Sequence, residues 1–426
     1  MFSTIKNTSS LFLCLGMIFV SCSTDDFDFE TQKKNNQPID SGIDTAVDKE
    51  LYFYRDVRPV IDRTCIHCHY EGGRSFDMNT HDAFVSLAEY IARDVRDGGK
   101  PPPISKKDCR SYIGDEKVIT ESDIVVFENW YAQGAQVGDP NDASDYIPPQ
   151  QHEQPEREFD ILMAIPPNYP FPNIEGHRCS VFSLNNQTPI TLKSSEFFTN
   201  DTRKNWSSML FLAPIDFSGQ HGEHFDCDYS GEEDWKVLAS WSPGVDPIEY
   251  GDGIVLEENA TIILKQFWFP ENQPFEGLTS YWGLQTSDEI PERPTQIIKY
   301  EVENFRLQAN ESSIEIAESS FWTGGDMEII GGFARSSLLS KGMTFSVLSD
   351  NQNEECLISY HLYEPLVPQH VMFREPMNIS NDKRIAMHCD FDNSSGNAAQ
   401  FNEPPHDISQ GYRNNEALCF ITLYVR

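Results

Sequence analysis

Cys65-Ile66-His67-Cys68-His69 packs more potential chemistry into five residues than any other run in this chain. Two thiols three positions apart, followed at once by an imidazole, form the Cys-x-x-Cys-His pattern of covalent c-type haem attachment. Each thiol would form one thioether to a haem vinyl group. His69 would then stand under the porphyrin as the proximal iron ligand. The rival reading is a disulfide or a zinc site built from Cys65, Cys68 and His67 or His69. Zinc normally takes four ligands, and no second Cys-x-x-Cys follows to complete the set. The run therefore reads as the attachment site of one haem c.

The elements that must hold this turn read as helical. Leu51, Tyr54, Val57 and Ile61 recur at helical spacing just before it. Phe84, Leu87, Ala88, Ile91 and Val95 form one apolar face of a second helix, predicted from Thr80 to the glycines Gly98 and Gly99. Thr120-Glu121-Ser122-Asp123 has a capping-box pattern and opens a third, through Ile124, Phe127, Trp130 and Tyr131 to Gly134. Three helices around one haem predict a small all-α cytochrome c domain over residues 49–140.

Arg58-Pro59-Val60-Ile61, Glu71-Gly72-Gly73 and Asn129-Trp130-Tyr131-Ala132-Gln133-Gly134-Ala135 carry a resemblance. The segment resembles the small class I-like cytochrome domains fused to bacterial oxidases and monooxygenases. Such domains carry Met-Pro-Pro after the second helix, the methionine being the distal iron ligand. Here Gly99-Lys100-Pro101-Pro102-Pro103 puts Lys100 in that place. Lysine binds iron only as the neutral amine, and shedding its proton at pH 7 costs about 4–5 kcal/mol. The alternatives are Met78, another residue or five-coordinate iron, so the distal position stays open.

Lys6 and the apolar stretch Leu11 to Val20 have the pattern of a signal peptide, assigned to residues 1–21. The stretch is too short to span a bilayer. Phe19-Val20-Ser21-Cys22 resembles the lipobox of bacterial lipoproteins, which implies acylation of Cys22. Ser23, where an aspartate would retain some lipoproteins in the inner membrane, implies an outer-membrane anchor. Residues 22–48 are polar and acidic and read as a tether.

The formal charge of −35 argues against nucleic acid as a partner and suits a basic redox partner protein. Of the ten cysteines, six lie outside the leader, the lipid site and the haem run: Cys109, Cys179, Cys227, Cys356, Cys389 and Cys419. An even remainder in an oxidising compartment suits disulfides, without giving their pairing.

After a linker at 141–157 the pattern changes. Short β-branched and aromatic runs alternate with Gly, Pro, Asn and Asp turns, as in Thr261-Ile262-Ile263-Leu264 and Phe420-Ile421-Thr422-Leu423-Tyr424-Val425. This predicts two all-β, jelly-roll-like sandwiches at 158–290 and 291–426, with a break near Ile290-Pro291-Glu292-Arg293-Pro294.

Three stretches resemble the copper type II, ascorbate-dependent monooxygenases, the peptidylglycine and dopamine hydroxylase family. They are Asp160 to Pro166 with His177-Arg178-Cys179, then Leu238 to Gly244, then Met387 to Ser394 with Gly411 and Asn415 to Cys419. The resemblance implies a two-sandwich fold and two copper centres. Its first copper would fall on Ser207, Ser208 and a position near Phe267. Its second would fall on Trp322-Thr323-Gly324 and Leu418. None of these side chains is a good copper ligand, so no copper is expected and no catalytic residue is assigned. His221 and His224, with Asp226 and Cys227, read as a polar loop. The resemblance also implies a Cys389–Cys419 disulfide, and Cys179–Cys227 is the further pairing expected.

The leading functional reading is an anchored electron-transfer cytochrome on a degenerate hydroxylase scaffold that serves binding or docking. The alternatives are a monooxygenase or oxidase with a non-standard metal site, and a haem-based sensor or binding lipoprotein.

Overall fold

The computed structural model describes residues 49–71, 73, 75–96, 109–143, 158–164, 176–227, 234–269, 280–349, 353–360, 363–413 and 415–426. The predicted leader, Cys22, the tether and Lys100 lie outside these residues, as does most of the linker.

Among the described residues the chain is predominantly β-sheet, with nineteen strands and four short α-helices. This corrects the expected architecture: no all-α cytochrome c domain is evident ahead of the sheets. The helices are α1 (Arg58–Thr64), α2 (His81–Val85), α3 (Ala88–Arg96) and α4 (Glu121–Ala132), with a π-helical turn at Phe53–Val57 leading into α1. The single helix expected from Thr80 is interrupted at Ser86 and Leu87.

The segment between α3 and α4 gives a physical reason for the correction. Residues 109–113 leave the helical layer and lie along a sheet edge. Tyr112 forms an antiparallel bridge with Phe373, Ile113 N–H donates to Met372 O at 2.8 Å, and Arg374 N–H donates to Ser111 O at 3.1 Å. Cys109 is bonded to Cys356, with their Cα atoms 4.7 Å apart. An unpaired sheet edge exposes backbone donors and acceptors, and this strap covers them. The helices are thereby stitched to the sheets.

Within the helical layer, Phe53, Phe84, Phe127 and Trp130 form a buried aromatic group with ring centroids 5.7 to 5.9 Å apart. Thr120 and Asp123 close a reciprocal capping box at the start of α4. Arg96 of α3 holds Glu128 of α4 through two hydrogen bonds of 2.9 and 2.6 Å.

The sheets are antiparallel and form two cores. In the first, β1 (Ile161–Ala164), β9 (Ser280–Ser287), β3 (Ile190–Thr199) and β7 (Ile248–Leu256) make one sheet. A second sheet runs β5 (His224–Asp226), β2 (Gly176–Ser183), β8 (Thr261–Trp268), β4 (Asn205–Leu212) and β6 (Lys236–Trp241). Leu192, Phe197, Leu210, Leu264 and Trp282 pack in this core. The second core has β10 (Gln296–Glu301), β19 (Cys419–Val425), β13 (Met327–Ser336) and β16 (His370–Ile379) in one sheet. The other sheet holds β12 (Ile314–Phe321), β17 (Arg384–Phe391), β14 (Ser340–Leu348) and β15 (Glu354–Tyr360).

β19 is buried along its whole length, and alternation explains it. Cys419, Ile421, Leu423 and Val425 enter the second core, whereas Phe420 and Tyr424 enter the first. Tyr424 also donates its hydroxyl to the Val237 carbonyl of β6 at 2.9 Å. One strand thus joins the two cores.

Candidate functional site

The Cys-x-x-Cys-His run folds as a tight turn at the end of α1. Cys65 N–H donates to Ile61 O at 2.8 Å, continuing the helix by one residue. The Cys65 carbonyl then accepts from Cys68 N–H at 3.1 Å and from His69 N–H at 3.0 Å. Both thiols and the imidazole therefore project from one loop.

His69 Nδ1 donates to the Phe76 carbonyl at 2.9 Å, and its ring lies 4.5 Å from that of Phe76. A carbonyl only accepts, so this bond puts the proton on Nδ1 and leaves Nε2 as the lone-pair nitrogen. Metal-binding histidines are commonly oriented by such a bond.

Cys65 packs against the helical core, and Cys68 packs against a separate cluster of Trp206, Phe267, Phe269, Leu366 and Val367. Burial pushes the Cys65 thiol up to about 11. The turn thus offers two sulfurs and one imidazole beside apolar side chains, the donor types a haem c attachment uses.

Met78, the alternative distal ligand, is buried in the helical core with Phe53, Phe84 and Trp130. Its N–H donates to the His69 carbonyl at 3.2 Å.

The turn docks onto the β body. Tyr70 hydroxyl bonds Thr202, and His67 lies over Gly244, where a Cβ would come within 3.0 Å of the imidazole. Gly244 has φ +91°, a conformation glycine adopts without strain. Lys117 Nζ bridges Gly244 O at 2.7 Å and the Asp246 carboxylate at 2.8 Å.

A cavity of about 80 Å³ opens at this junction, lined by His67, Cys68, Tyr112, Val367, His370 and Met372 among others. Burial, then the Lys117 cation, lowers His67 to about 4. Burial alone lowers His370 to about 3, so its ring is neutral at physiological pH.

The positions implied for a first copper are brought together. Ser207 and Phe267 are cross-strand partners on β4 and β8, Ser208 accepts from Trp282 Nε1 at 2.7 Å, and all three residues are buried. The positions implied for a second copper are not. Trp322 belongs to the second core, donating to Gly325 O, and Leu418 belongs to the first.

His221 and His224 are engaged separately. His221 Nδ1 accepts from Ser183 N–H at 3.1 Å, and His224 Nδ1 meets Ser180 Oγ at 2.9 Å. The cysteines lie at bonding distance as Cys389–Cys419 and Cys179–Cys227, with Cα separations of 6.2 and 5.5 Å.

Sequence reasoning missed His370 and Met372, although their i, i+2 spacing in a strand puts them on one face. It also missed Glu315, His388 and Asp390, whose ligand atoms lie within 4.8 Å of one another on the outer face of β12 and β17.

No family model and no curated protein matches the chain. Among solved structures, a secreted protein from Parabacteroides distasonis is 9% identical, with a TM-score of 0.16 over 57% of this chain and 75% of that one. The CBM22-1-CBM22-2 tandem domain of Paenibacillus barcinonensis Xyn10C is 8% identical, with a TM-score of 0.15 over 57% of this chain and 81% of that one. The VP2 subviral particle protein of infectious bursal disease virus is 9% identical, with a TM-score of 0.19 over 65% of this chain and 74% of that one. Likenesses this low carry no argument about fold or function.

Proposed function

We propose that this chain is a mono-haem c-type electron-transfer protein, exported and anchored to the outer membrane through an acylated Cys22. Its β body resembles a copper hydroxylase scaffold without that family's copper ligands, and serves binding or docking of a redox partner. The observation that carries this reading is the turn itself. Cys65, Cys68 and His69 project from one loop, and the His69 Nδ1 bond to Phe76 O supports Nε2 as the nitrogen that would be offered to iron.

A bound haem would supply one-electron redox chemistry at this turn. Cys65 and Cys68 would hold the group covalently, and His69 would offer its imidazole to the iron. The apolar cluster of Trp206, Phe267, Phe269, Leu366 and Val367 excludes water beside Cys68. Phe267, near which the hydroxylase resemblance implies a copper ligand, belongs to this cluster beside Cys68.

The double variant Cys65→Ala with Cys68→Ala tests the proposal. The wild-type band should stain for haem peroxidase activity on a denaturing gel, and the variant band should not. Equal staining of both would overturn it.

A further inference from the structure

His370 opens β16 and is 8% exposed, yet among the described residues neither ring nitrogen has a hydrogen-bonding partner. Its ring stacks near Tyr424 at 4.5 Å and Phe333 at 6.3 Å. A phenylalanine would pack there without two buried polar atoms, so packing alone does not account for an imidazole.

Met372 stands two positions along the same strand and on the same face. Both side chains line the junction cavity, together with His67 on another wall. Gly331 of β13 is the cross-strand partner of Met372, and a Cβ there would come within 2.7 Å of the Met372 Sδ. Glycine weakens a strand interior and marks a close approach. A Cβ here would meet the Val371 carbonyl first and the Met372 sulfur next, so the glycine leaves both strand and sulfur their room. One hydrogen bond of the His67 ring goes to the Arg63 backbone.

We propose that this cavity is a soft-metal site that binds one copper(I), with His370 and Met372 as ligands and His67 as the third donor. Imidazole and thioether groups together favour monovalent copper over magnesium or calcium. The one carboxylate on the wall, Asp246, is engaged by Lys117, so the cavity offers no hard anionic ligand. None of these residues is among those the hydroxylase resemblance assigns to copper. Cys68 lines the same cavity, so the metal stands beside the haem-attachment turn. Only that last adjacency rests on the haem reading; the binding itself does not.

The test uses the full chain, purified, dialysed and titrated anaerobically with copper(I) against a chromophoric copper(I) chelator. One equivalent should be withdrawn from the chelator, and X-ray absorption of the loaded protein should show one sulfur and nitrogen neighbours. Met372→Leu conserves volume and should keep the fold while weakening binding at least tenfold. His370→Phe should weaken it likewise. Failure of the wild type to compete, or equal binding by the wild type and Met372→Leu, would overturn the site. Haem staining of the same samples separates the two claims: a stained chain that binds no copper overturns this inference alone, and an unstained chain that binds copper overturns only the haem reading.

Discussion

His69 shows what a single hydrogen bond adds to a motif. The spacing of Cys65, Cys68 and His69 is legible in the chain, but the choice of ring nitrogen is made by the Phe76 carbonyl seven residues on. His69→Ala should therefore keep the haem covalently attached and alter its axial field, read as a change in the ferric optical spectrum with haem staining preserved. Met78 packs inside the helical core, and Met78→Leu conserves its volume. That variant should cost less than about 1.5 kcal/mol and leave the optical spectrum unchanged. A spectral change would identify Met78 as the distal ligand. Gly244 lies directly against His67 at the docking surface. Gly244→Ala should lower stability by about 1–2 kcal/mol through its left-handed backbone, measured by thermal melting.

At the scale of elements, the strap at 109–118 does the joining. Arg374 holds Asp115 at 3.0 Å and Glu116 at 2.7 Å, Lys117 holds Asp246, and Cys109 is bonded across 247 residues to Cys356. Cys356→Ser should destabilise the protein by about 2–4 kcal/mol, read by denaturant unfolding with the wild type under reducing conditions as control. Asp123 gives a pH dependence. Burial acts to raise its carboxyl, but hydrogen bonds from Thr120 and the Arg63 guanidinium outweigh it and hold it below the ordinary value. The folded carboxylate binds its proton less readily than the unfolded one, near 3.9. Its contribution is therefore present above about pH 4 and lost as pH falls through the folded value. Asp123→Asn should be less stable than the wild type at pH 7, with the difference shrinking below pH 4.

The same elements show how far sequence reasoning reached. The capping box at Thr120 and the apolar faces of the helices are local patterns, and local patterns were readable. The autonomy of the helical layer was not, because it depends on Tyr112 meeting Phe373 and Cys109 meeting Cys356, contacts made between segments more than 240 residues apart. Periodicity carries no information about such partners. The junction cavity was hidden for the same reason: its walls come from four distant stretches, holding His67, Tyr112, Gly244 and His370.

Across the whole molecule, the strongly acidic charge and the proposed lipid anchor at Cys22 would put the proposed electron-transfer site on a tethered body. Cys22→Ser should move the protein from the membrane to the soluble fraction; a variant that still fractionates as a lipidated species would contradict the anchor. Metal content should be one iron per chain and no more than one copper, since Ser207, Ser208, Phe267, Trp322 and Leu418 offer no ligand set. Two tightly bound coppers after dialysis would contradict the account of the scaffold. The most direct measurement of the central claim is a pyridine haemochrome on denatured wild-type protein after acid-acetone extraction. The account predicts that one haem per chain stays with the polypeptide and gives a c-type spectrum. Haem released into the acetone, or no haem at all, would contradict it.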